Sequence, residues 1–210
     1  MRSLFIHILS FLGFGAVIAV TAIQTGFSAG LVGAVCLVAY GLLMKKRWAA
    51  KQAQDEELSH CEQALWIQLA AYALLLGHLI TGLLHTDIDM RIGQGSSLAI
   101  DSWMMVLAAL TSEYLFKNDT RIIDERDHKY SSKAVIWGYR SLVLQAVLFA
   151  FFLTLTPPVV RSLFSHFLIA NTLIAFCLSS YCTYMSVRLF AYYQDRKLIH
   201  AIGNGKCASN

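Results

Sequence analysis

Long apolar runs alternate with short polar loops along this chain, and that alternation decides most of what it can fold into. The runs are about 18 to 28 residues long, the length a helix needs to cross a hydrocarbon core of about 30 Å. Water is absent there, so each run has to satisfy its own backbone donors and acceptors, as a helix does. Composition agrees: 57% of the 210 residues are hydrophobic and 14% charged, and the only two prolines are adjacent. A soluble domain carries about a quarter charged residues to solvate its surface. The fold expected is therefore all-α: a polytopic membrane protein, one transmembrane domain over residues 1–210, with six transmembrane helices near 4–23, 28–44, 64–84, 97–116, 134–156 and 164–193. The fifth span closes at Pro157-Pro158, where a helix cannot continue. The sixth stays apolar beyond what a bilayer needs, so its last turns should emerge into the cytoplasm.

Orientation follows from the basic residues. The N-terminus, the 2–3 and 4–5 loops and the C-terminus hold thirteen Lys and Arg, the opposite loops only Arg91 and Arg161. Positive-inside bias then places both termini in the cytoplasm. Trp48, Trp66, Trp103 and Trp137 fall near the expected membrane surfaces, where an amphipathic indole sits well. The net charge of +4 is explained by this orientation, and no nucleic-acid partner is expected. The first thirty residues have some signal-peptide character, but their apolar stretch exceeds a usual signal core, and they are expected to remain as span 1.

The five cysteines show no metal-type spacing, so neither a disulfide framework nor a zinc site is expected. Nucleotide-binding, hydrolase, zinc-protease and haem motifs are missing from the chain, and no cofactor is implied by motif.

Two cytoplasmic loops look related. Residues 55–66 read DEELSHCEQALW and residues 124–137 read DERDHKYSSKAVIW. Each sets an Asp-Glu pair about ten residues before a span that opens with Ala and an aromatic. Similar span ends precede them, Tyr40 to Arg47 and Tyr114 to Arg121. The expectation is a duplicated helical hairpin, spans 3–4 and spans 5–6, both entering from the cytoplasm and so parallel. Inverted repeats are the more usual mark of secondary transporters.

In the second half, Asp124-Glu125-Arg126, a basic linker, Lys133-Ala134, two spans and the ending Phe190 to Lys197 resemble a group of small bacterial inner-membrane proteins. Those share an Asp-Glu-Arg juxtamembrane motif and paired spans, and have no assigned biochemical activity. The resemblance covers residues 115–197; in the first half Glu57 stands where the second has Arg126. It implies topology and a bacterial inner membrane, and carries no mechanism.

Ionisable residues in a membrane interior call for a partner or a function. On the outer side, His78, His85, Asp87, Asp89, Asp101 and His166 gather from three spans and are candidates for ligand binding or proton relay, against the simpler account of a wetted loop with capping aspartates. On the inner side, Glu113 near the end of span 4 and Arg140 inside span 5 could meet as an intramembrane ion pair. Arg188 is expected to snorkel to the headgroups. Asp124, Glu125 and Arg126, with Asp55 and Glu56, lie in charged segments expected to be helical, and form either a solvated juxtamembrane helix or a docking surface for a soluble cytoplasmic protein. Three function classes follow: a membrane-embedded regulator or sensor acting through its cytoplasmic face, a small transporter or channel using the intramembrane polar residues, and a membrane enzyme, which has no motif behind it. Besides the lipid bilayer, a homo-oligomer is the other partner that six short spans invite.

Overall fold

The computed structural model of the chain describes residues 2–52, 60–84, 97–115, 125–157 and 166–206, with some side chains at the helix ends left undescribed. Within them the protein is all-α, with six helices: α1 (Arg2–Thr25), α2 (Ala29–Gln52), α3 (His60–Leu84), α4 (Ser97–Leu115), α5 (Glu125–Leu155) and α6 (His166–Lys206). Five of them, all but α4, are long and apolar enough to cross a membrane. In α4 the apolar stretch of the described residues is shorter, Ile100–Thr111.

Helix α1 stops at Gly26, which takes φ +72° and donates its N–H to the Ala22 carbonyl at 2.8 Å. This is the left-handed glycine cap that closes a last turn without a Cβ penalty. Two residues later Ser28 opens α2, its Oγ accepting the Leu31 N–H at 3.3 Å. A helix end and a helix start therefore fit into a three-residue turn.

α3 is the central element. It packs against α1, α6 and α4, and more lightly against α2. Leu65, Ile67, Leu69, Ala70, Ala73, Leu74 and Leu76 bury its circumference on all sides, as expected of a helix that is apolar all round. The α1–α3 crossing is set by two glycines facing each other's backbones. A Cβ on Gly77 would collide with the Leu12 carbonyl, and one on Gly15 with the Leu74 carbonyl. At the α2–α4 crossing a Cβ on Gly30 would lie 2.5 Å from the Asp101 Cα. Without a hydrophobic driving force between helices in lipid, close approach through small residues is what holds them. His7 meets Trp66 near the start of both helices and Gly15 meets Leu74 and His78 further along, so α1 runs parallel to α3; Gly30 meets Asp101 and Gly33 meets Met105, so α2 runs parallel to α4.

α5 packs on α6 in antiparallel fashion. Gly138 faces Ser180 and Tyr184 there, and Gln145 Nε2 donates to Ser179 Oγ at 3.2 Å. The outer face of α5 shows Val143, Leu144, Val147, Leu148, Phe151 and Phe152 to the surroundings. A water-soluble protein seldom exposes so large an apolar patch; a lipid-facing helix does.

Candidate functional site

At one end of the bundle lie the start of α1, the end of α2, the starts of α3 and α5 and the later turns of α6. Polar and aromatic side chains from all five connect there. Glu62, in the first turn of α3, is 3% exposed, and Arg196 of α6 reaches its Oε1 with Nη2 at 2.6 Å. One turn along, the Trp66 side chain also donates to the Glu62 carboxylate. The edge of Trp66 meets the His7 ring of α1 with centroids 4.9 Å apart. His7 Nε2 in turn lies 3.3 Å from the Tyr40 hydroxyl of α2. Helical spacing explains the convergence: Glu62 and Trp66 are four apart on α3, and His7 and Phe11 four apart on α1, so each pair presents one face.

The second half of the layer belongs to α5 and α6. Asp127 is buried, and the Tyr192 hydroxyl donates to its Oδ1. Arg126 extends the other way, Nη1 to Asp195 Oδ2 at 3.2 Å, as an exposed pair. Arg188 is half-buried, with Nη1 donating to the Tyr184 hydroxyl at 2.9 Å and its guanidinium over the same ring at 5.6 Å. Ser131 Oγ of α5 is 3.1 Å from that hydroxyl. Tyr184, Arg188, Tyr192, Asp195 and Arg196 thus form one face of α6 that binds α5 and α3 together.

This layer includes one of the docking candidates from the sequence, Arg126, and lies beside another, Glu125. Glu125 and Arg126 are exposed on the first turn of α5. Asp124, Asp55 and Glu56 lie outside the described residues. The sequence argument missed Glu62, Arg196, Asp127, Tyr192 and His7. A signal existed for the carboxylates, because Glu62 and Asp127 each follow a loop Asp-Glu pair and lie inside the helix start, where a charge requires a partner. Arg188 differs from the expectation of snorkelling: Tyr184 lies one turn back on its own helix, within the bundle, and takes its hydrogen bond.

The opposite end holds the expected outer set in part. Asp101 is 2% exposed and sits on the N-terminus of α2, accepting from Ser28 Oγ at 2.8 Å and from the Ala29 N–H at 3.1 Å. A carboxylate there is stabilised both by the free N–H groups and by the positive end of the helix dipole. His78 is fully buried in α3, where its backbone borders Gly15 of the α1 crossing. His166 is exposed at the first residue of α6. His85, Asp87 and Asp89 lie outside the described residues. Among the described residues no three of His, Cys, Asp and Glu come together as a metal site. Arg140 stands on the exposed face of α5 with its guanidinium 5.6 Å from the centre of the Trp137 ring. The Glu113 side chain, its expected partner, is outside the described residues.

No protein-family model matches the chain, and no curated protein and no solved structure matches it.

Proposed function

We propose that this chain is a six-span regulatory or sensing protein of a bacterial inner membrane, acting through the end of the bundle that carries Glu62, Glu125 and Arg126. That end and both termini face the cytoplasm, where the thirteen basic residues of the loops and termini belong. The duplicated hairpin of spans 3–4 and 5–6 brings two related juxtamembrane segments to the same face.

One observation carries this reading. The polar residues of that end are tied into a layer across α1, α2, α3, α5 and α6, while Glu125 and Arg126 remain on its surface. α6 has 41 residues, about 62 Å of helix, roughly twice a hydrocarbon core. Its far turns therefore reach beyond the bilayer and carry the pairs with Glu62 and Asp127. A shift of α6 against α3 would break the Glu62–Arg196 pair and move the start of α5 with it, so a disturbance in the membrane is delivered to a displayed charged surface.

The test is isolation in lipid discs from native membranes, followed by mass spectrometry of what co-purifies. A stoichiometric soluble protein, lost when Asp124, Glu125 and Arg126 are all replaced by Ala, is the expected result. Recovery that is unchanged in the triple variant contradicts the reading.

A small transporter is the second reading, favoured by the burial of His78 and Asp101 among apolar helices. It requires flux in reconstituted vesicles that His78→Ala or Asp101→Asn abolishes. Flux that is unchanged in both variants removes those two residues from a pathway.

A further inference from the structure

The outward face of α5 carries a basic stripe that the regulatory reading does not use. Lys129, Lys133 and Arg140 are all exposed, with Trp137 between the last two. Their spacing of four, four and three places them along one side of the helix. The other side carries Asp127, Ala134 and Gly138, buried against α6. Among the described residues no carboxylate pairs with Lys129, Lys133 or Arg140. Glu125 stands one turn before Lys129, and the stripe as a whole stays positive.

Depth makes this unusual. From Lys129 to Arg140 the helix rises about 16 Å, so Arg140 lies level with lipid rather than water, below Val135 and Ile136, which are themselves exposed. A cation on a lipid-facing flank is costly unless its head turns back to the interface. Arg140 does this: its guanidinium lies over Trp137, toward the start of α5. The indole both holds the cation by its ring face and suits the headgroup level. The Arg140 guanidinium, turned back to Trp137, therefore comes toward the level of Lys133, with Lys129 one turn nearer the water, on a flank where the available counter-charge is a phosphate.

We propose that Lys129, Lys133 and Arg140, with Trp137, form a headgroup site for an anionic phospholipid on the lipid-facing flank of α5. Lys133 and Arg140 grip the phosphate from either side of the Trp137 ring. Lys129 draws the net negative charge of the headgroup, which separates an anionic lipid from a zwitterionic one.

Native mass spectrometry of the full chain in a neutral detergent tests this, with phosphatidylglycerol and phosphatidylcholine of matched acyl chains as the two probes. Wild type should retain phosphatidylglycerol in clear preference. Each charge removed should weaken that binding about fivefold, so Lys133→Gln with Arg140→Gln loses it about 25-fold while phosphatidylcholine binding stays as it was. Arg140→Lys should restore part of the preference. Arg126→Gln, whose charge is paired with Asp195, should leave it intact. Lys129→Gln, in the polar part of the helix, supplies a fivefold loss should the double variant fail to fold. Equal binding of the two lipids by wild type, an undiminished preference in Lys129→Gln, or wild type that takes up no phosphatidylglycerol would each overturn the proposal.

Discussion

Glu62 and Arg196 illustrate how a single pair can hold two helices in register. The carboxylate is buried, whereas the guanidinium keeps some contact with its surroundings. Removing a partner from a buried pair strands the other charge and costs about 3–5 kcal/mol; the partial exposure of Arg196 lowers this to about 2 kcal/mol. Arg196→Met should therefore lower the melting temperature in detergent, and Glu62→Gln added to it should recover much of the loss. Two losses that simply add would mean the residues do not interact. Asp101 plays a comparable part at the other end, since its oxygens take the Ser28 hydroxyl and the Ala29 N–H. Asp101→Ala should cost about 1–2 kcal/mol through loss of the cap, seen as earlier proteolysis or faster amide exchange in the first turn of α2. Protection unchanged there would show that Ser28 caps the helix alone.

Among the helices, backbone proximity matters more than side-chain bulk. Gly15 and Gly77 sit where α1 and α3 touch backbone to backbone, so there is no flexible neighbour to yield. Gly77→Leu should force the helices apart and abolish the folded monomer in detergent. Gly13→Ala, two residues from the crossing and with nothing within 4 Å of its added Cβ, should be tolerated, with a melting temperature at or above wild type. Equal damage from both changes would deny that the crossing is what the glycines serve. The helices themselves were legible in the sequence, because a bilayer-length apolar run admits few alternatives. The charged segment ahead of span 5 was legible as helix too. Hydropathy places that span at residue 134, and the helix begins at Glu125, its acidic first turn favoured by the dipole and its charged turns continuous with the apolar ones. Hydropathy marks where lipid starts, and not where a helix does. The partners of the polar residues were not legible at all. Asp101 pairs with a residue 73 positions away and Glu62 with one 134 away, and no periodicity within one segment encodes which helices become neighbours.

Across the whole molecule, the arrangement separates into a packed part and a displayed part. α3, wrapped by α1, α4 and α6, forms the interior. α5 joins it through α6 and offers lipid an apolar flank, with charged residues at its start. The sequence argument put its first reading on the cytoplasmic loops and its second on intramembrane residues such as His78 and Asp101; the largest described polar assembly lies at the end that carries Glu125 and Arg126, where Arg196, Glu62, Trp66, His7 and Tyr40 connect four helices. A surface so braced is suited to presenting Glu125 and Arg126 to a partner at a fixed angle. The most direct test is photo-crosslinking in native membranes, with a photoreactive phenylalanine introduced in place of Glu125 in one variant and of His166, exposed at the opposite end, in another. The account predicts an adduct with a soluble protein from position 125 and none from position 166. Adducts from position 166 alone, or from neither position, would contradict it.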